Sequence, residues 1–235
     1  RQMCIRDRFL RPRPAVVPDA TGPVAHWASD RFLQYRAQAP LRFEVAGRLH
    51  ERALRVECAP SSRAYISGLE LRARLDLELP PAGHVIVLSR ALLRTLEAQA
   101  EAHYDHARGD ASRGRDMPEE LRWLRLFGDT TWKGPGDAFW QRYAVLSDAQ
   151  ELARRWIDDE AQAFLLAGDS EAAREVPVLV ALMRGKCFLR LQVNPRAQEA
   201  DALLALELLE YLGERALTLA ARSGTTNGDS VSSPG

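Results

Sequence analysis

The chain has three cysteines and two lysines among 235 residues, few aromatics (7%) and no formal net charge. Each scarcity excludes something. So few cysteines rule out a disulfide-stapled miniprotein. Balanced charge, 32 basic against 32 acidic side chains, removes any global pull toward nucleic acid or anionic lipid. Long apolar runs are missing too: the longest clean one, residues 176–183, falls far short of the roughly 20 residues that cross a bilayer. Gly-x-Ser-x-Gly, His-Glu-x-x-His and a Walker loop do not occur, so no nucleophile–base pair, zincin site or phosphate loop is expected. No cofactor is expected either, and a non-catalytic protein is the favoured reading. What is present is ordinary for a soluble globular chain: 46% hydrophobic and 27% charged residues, enough for one large domain or two small ones.

Residues 1–8, Arg-Gln-Met-Cys-Ile-Arg-Asp-Arg, match the in-frame translation of a transposon-end sequencing adaptor. Such segments are set aside before fold reasoning. Doing so removes three arginines and one aspartate, which leaves 29 basic and 31 acidic residues, and removes Cys4. The reading frame is then expected to be a truncated fragment, with any signal or anchor upstream. Lys133 and Lys186 are the only lysines. That bias toward arginine fits a GC-rich bacterial genome and accounts for many arginines without invoking phosphate ligands. Cys58 and Cys187, in apolar strand-like runs, are expected as buried free thiols. The cytoplasm, or the cytoplasmic face of a membrane, is the expected compartment.

Residues 9–24 hold four prolines without periodicity and read as a linker; 223–235 read as a disordered tail. Between them lie a hairpin-rich segment (25–108), a polar Gly-containing loop (109–118) and a second segment (119–222). A short helix is predicted over 26–38. Leu41, Phe43 and Val45, then Leu54, Val56 and Cys58, alternate with charged residues around Gly47, a hairpin signal. Strict alternation from Leu69 to Leu79 predicts a strand with one buried and one wet face, in an antiparallel sheet. Another strand follows over 84–88, and Ser89 caps a helix over 90–108. In the second segment 139–146 reads as a strand. Ser147-Asp148-Ala149-Gln150 reads as a capping box opening a helix that stops at Gly168. Residues 176–183 and 187–193 pair through an Arg184-Gly185 turn. Asn194 and Pro195 then start a leucine-rich helix that runs to Arg222. The predicted fold is α+β: an antiparallel sheet with helices packed on one face, and a β-α-β-β-α second half.

These features resemble a group of uncharacterised bacterial α+β proteins. The shared elements are a first hairpin-rich segment (Leu41-Arg-Phe-Glu-Val-Ala-Gly-Arg-Leu), a Phe-x-x-x-Tyr-x-Val segment (Phe139, Tyr143 and Val145), the capped helix with Ala153-Arg154, a valine-rich hairpin and the leucine-rich terminal helix. The resemblance spans about residues 41–220 and implies a fold habit without an activity. It also implies that some relatives carry an N-terminal hydrophobic anchor, which in this chain would lie upstream.

Three functional readings follow. The first is a non-catalytic binding or scaffolding module, the soluble part of a membrane-anchored protein if an anchor lies upstream. The excess leucine of the terminal helix would meet a protein partner or a second copy. No nucleic-acid partner is expected, and membrane contact only through the missing N-terminal segment. The second is a small metal-dependent hydrolase using His103, Asp105 and His106, although two histidines at i, i+3 near a helix end are more often solvated. The third is a small-ligand binder using Trp132, Trp140 and Tyr143, although aromatics so close in sequence more often close a core. Lys133-Gly134-Pro135-Gly136 reads as a turn. The charged face of 69–79 reads as solubility and register control, and Asp158-Asp159-Glu160 as a solvated face or a helix break.

Overall fold

The computed structural model describes residues 22–39, 41–80, 82–107, 119–167, 175–194 and 198–226. Apolar alternation and helical stripes resolve into sixteen elements. The first segment holds α1 (Pro23–Asp30), β1 (Gln34–Ala39), β2 (Arg42–Leu49), β3 (Arg52–Pro60), β4 (Leu69–Asp76), β5 (Val85–Ser89) and α2 (Arg90–Ala107). The second holds α3 (Glu119–Leu126), β6 (Gly128–Asp129), α4 (Asp137–Arg142), β7 (Tyr143–Ser147), α5 (Gln150–Trp156), α6 (Asp159–Leu166), β8 (Val178–Met183), β9 (Lys186–Gln192) and α7 (Gln198–Thr226). All nine strands join one open sheet in the order β1-β2-β3-β4-β9-β8-β5-β7-β6. Every pairing is antiparallel, as the α+β reading requires. The two sequence segments interleave: β9 pairs with β4, and β5 lies between β8 and β7.

The main core fills the sheet face under α1, α5, α6 and α7. Its sheet floor includes Phe43, Val56, Leu71, Leu75, Val87, Val145, Val180 and Leu189, and Trp27, Trp156, Leu206, Leu209 and Leu212 come from the helices. The leucines of α7 are thereby largely consumed within the chain, against β4, β9 and three other helices. The expected helical layer on one face is present. The opposite face carries a second, smaller layer, because β5, β7 and β8 are apolar on both sides. Ile86, Leu88, Ala144, Leu146, Leu179 and Ala181 meet Leu92, Leu93 and Leu96 of α2 and Leu121 of α3.

Local chemistry explains several boundaries, including those where expectation and structure differ. The helix predicted over 26–38 stops at Asp30. Phe32 adopts a left-handed φ of 56°, the Leu33 N–H bonds Ala28 O at 2.9 Å and the Phe32 N–H bonds Ser29 O at 3.0 Å. That Schellman closure turns the chain into β1, which pairs with β2. Gly47 lies inside β2; the β2–β3 turn is His50-Glu51, with φ of 47° and 62°, the left-handed pair a type I′ turn needs. Residues 139–142 are helical rather than extended. Gly136 is the extended N-cap of α4, and the i, i+4 pair Phe139 and Tyr143 is buried on one side. Ser147 caps no helix: its Oγ accepts from the Ala149 N–H at 2.9 Å, and Ala149 is the N-cap of α5. The predicted helix to Gly168 breaks after Trp156. Asp158 restarts it as the N-cap of α6, accepting from the Ala161 N–H at 3.1 Å.

Other expectations are met. Ser89 Oγ accepts from the Leu92 N–H, which caps α2, and from the Val178 N–H, while donating to Val176 O. Cys58 and Cys187 are buried thiols outside any disulfide. They stand on β3 and β9, opposite Leu71 and Leu75 of the intervening β4. That offset separates them by roughly 15 Å, beyond any disulfide. The Arg184-Gly185 turn closes the β8–β9 hairpin, with φ of 51° and 71°. A Cβ on Gly185 would overlap the Leu79 carbonyl oxygen. Gly185→Ala is therefore expected to cost about 2 kcal/mol or more, left-handed strain plus a backbone clash, read as a lower urea midpoint. An unchanged midpoint would contradict this packing. Among the described residues no helix is long and apolar enough to cross a membrane.

Candidate functional site: the uncovered half of the sheet

The second face of the sheet changes character along each cross-strand row. One row passes from Ala46 through Arg55, Arg74 and Phe188, then into the apolar Ala181, Ile86 and Leu146. The next passes from Glu44 through Glu57, Arg72 and Arg190, then into Leu179, Leu88 and Ala144. The apolar ends lie beneath α2 and α3. The charged ends are uncovered and line a shallow groove of about 480 Å³. Phe188 is half-buried at the boundary between the two halves.

Within the groove the charges are unevenly satisfied. Arg72 reaches Glu57 at 2.7 Å, and that hydrogen bond holds its guanidinium above the ordinary arginine range against a smaller opposing effect of burial. Arg190 pairs at 3.1 Å with Glu70. Glu70 is only 2% exposed, despite standing on the face expected to be wet, and it also accepts from Ser61 Oγ at 2.9 Å. A similar arrangement borders it: buried Glu120 of α3 accepts from Tyr65 and Arg63. Burial first, then the Glu120 charge and hydrogen bond, push the Tyr65 phenol well above its usual range. Asp76 is claimed by Lys186 at 3.1 Å, leaving Arg74 at 3.9 Å. Arg55 stands directly opposite Arg74 and has no ion-pair or hydrogen-bond partner among the described residues. Like charges directly opposed on adjacent strands disfavour the pairing. The sheet thus exposes one guanidinium group without a partner among the described residues, Arg55, opposite a second, Arg74, held only by the long 3.9 Å pair to Asp76, beside an aromatic ring.

The residues singled out from sequence lie elsewhere. Trp132 meets Trp140 edge-on at 5.0 Å, Trp140 meets Phe139 the same way, and Phe139 packs on Tyr143 at 5.6 Å. The two tryptophans are half-buried against the main core. Tyr143 is buried, its hydroxyl donating to Leu165 O at 2.7 Å. Burial pushes that phenol up to about 12, against a lowering by the Arg142 charge. The side chains of His103, Asp105 and His106, at the end of α2, lie outside the described residues. Asp158 has structural work: besides capping α6 it accepts from Tyr211 at 2.8 Å and pairs with Arg215 at 3.0 Å.

No protein family matches the chain, and no curated protein is similar to it in sequence. Among solved structures, the mycobacterial trehalose monomycolate transport factor A, TtfA, is similar over 81% of this chain and 90% of its own, with 12% identity and a TM-score of 0.43. A likeness that weak carries no functional information.

Proposed function

We propose that this chain is a non-catalytic binding module whose contact surface is the uncovered half of the sheet, and that the surface takes an acidic protein segment. The observation that carries the reading is the Arg55–Arg74 juxtaposition beside Phe188, in a groove that α2 and α3 leave open. The unpartnered guanidinium of Arg55 and the weakly paired one of Arg74, 3.9 Å from Asp76, present planar forks suited to carboxylates, and the half-buried ring offers an apolar anchor. A nucleic acid fits less well. Glu44 and Glu57 share the same groove and would repel a phosphate backbone, whereas a protein surface of mixed sign can match them.

Arg55→Glu separates this role from a structural one. The new carboxylate would pair with Arg74 across the ladder, so stability is expected to rise by about 0.2–1 kcal/mol. Binding of fluorescein-labelled Glu- and Asp-rich peptides, each with one aromatic or leucine anchor, is expected to fall at least about tenfold and to weaken with salt for the wild type. Fluorescence anisotropy reads the second effect and urea unfolding the first. Peptide binding that survives Arg55→Glu unchanged, or tighter binding of a single-stranded oligonucleotide, would overturn the proposal.

A further inference from the structure

The β2–β3 turn touches α7 at a point that neither the sheet groove nor the core explains. His50 Nε2 lies 3.0 Å from Glu210 Oε1 and 3.0 Å from Glu214 Oε1. Glu210 and Glu214 are one turn apart on a 29-residue helix, hence on one face. His50 occupies the first left-handed position of its turn. Behind them Arg31 Nε bonds both oxygens of Glu210, at 2.8 Å to Oε2 and 3.0 Å to Oε1, while its guanidinium carbon sits 4.7 Å over the Trp27 ring.

A proton alone serves this geometry poorly. One Nε2–H points along one line, yet two carboxylates sit at the same distance from that nitrogen. A divalent ion among the three atoms satisfies all of them. Ligand atoms around a tetrahedral zinc, at 2.0–2.1 Å from the metal, stand about 3.3 Å apart, and around an octahedral ion about 2.9 Å. Both histidine–carboxylate separations, 3.0 Å, fall in that interval, and the three ligand atoms all lie within 4.8 Å of one another. One imidazole and two carboxylates match zinc and its first-row neighbours better than Mg²⁺ or Ca²⁺, which prefer all-oxygen sets. The charges agree as well: with neutral His50, the two carboxylates and Arg31 sum to one negative charge, which a cation compensates. Arg31 then acts from outside the coordination sphere, fixing the Glu210 carboxylate as ligating groups are commonly fixed.

We infer that His50, Glu210 and Glu214 form a binding site for a zinc-class divalent ion, with a position open to water, that staples the β2–β3 turn to α7. Chelator-treated protein titrated with Zn²⁺ by calorimetry is expected to bind one equivalent at this site and to melt at a higher temperature. Co²⁺ should report the same site by its visible absorption. His50→Ala and Glu214→Gln change exposed groups, so both variants should fold, as circular dichroism checks, and each should lose at least about tenfold in affinity. The double variant His103→Ala/His106→Ala should bind like the wild type. No saturable binding, binding unchanged in His50→Ala, or binding lost with His103 and His106 instead would overturn the assignment.

Discussion

Trp156→Ala is expected to destabilise the protein by about 3–5 kcal/mol, a large part of the 5–15 kcal/mol that a typical domain has in total. Trp156 is fully buried, and it ties α5 to α7. Its ring comes from the seven-residue α5, and its Nε1–H donates to Leu212 O on α7 at 2.9 Å. Truncation removes the largest fully buried side chain and leaves a cavity that α5, too short to be stable alone, has little means of closing by itself. Trp156→Phe keeps most of the apolar contact and loses the hydrogen bond, so its cost should be well below that of alanine, about 1–2 kcal/mol. Urea unfolding followed by far-UV circular dichroism gives both numbers. An alanine cost under about 1 kcal/mol would show that α5 and α7 are not packed as described.

The second large effect lies under the groove. Arg190→Met is expected to cost about 3–5 kcal/mol, because it strands the Glu70 carboxylate, 2% exposed, with Ser61 Oγ at 2.9 Å as its remaining side-chain donor among the described residues. Breaking a buried pair and replacing one have different consequences. Glu70→Met/Arg190→Met removes both charges and fills the same space, so the double variant should recover most of the loss. The four-variant cycle of urea midpoints isolates the coupling. Additive costs, with the double variant worse than either single change, would mean that the two residues act independently of each other.

Where periodicity is local and strong, the fold was legible in the chain. Leu69, Leu71, Ala73 and Leu75 alternate as β4 requires, the Arg184-Gly185 turn sits between β8 and β9, and Ser89 caps α2 as its position suggests. Misread segments are those in which tertiary contacts overrule local preference. Gln34–Ala39 is glutamine, arginine and alanine apart from Tyr35, mostly good helix formers, yet it is extended because β2 offers a ladder. Phe139 and Tyr143 fit a strand pattern and a helical i, i+4 pair equally well, and the structure places Phe139 in the short α4 and Tyr143 at the start of β7. Strand order had no local signal at all. Alternation showed that 69–79 has a polar face, but only pairing through β9 reveals that this face continues into the apolar strip under α2 and α3 and ends uncovered. The same holds for sites made from distant positions. Arg55 meets Arg74 through the β3–β4 register, and His50 meets Glu210 across 160 residues. Glu70 shows the limit of a simple two-face reading, since its neighbours bury it although its position is on the polar side.

The binding reading stands on location: an acidic segment must touch Arg55 and Arg74 rather than other arginines of this arginine-rich chain. The most direct measurement is a titration of the protein's arginine Nε–Hε resonances with the acidic peptide that binds most tightly. Arg55 and Arg74 are expected to shift first and saturably, with Arg154, paired with Glu151 on the exposed face of α5, unmoved. Shifts led by Arg154 or spread evenly over the surface, with Arg55 and Arg74 unchanged, would contradict the account.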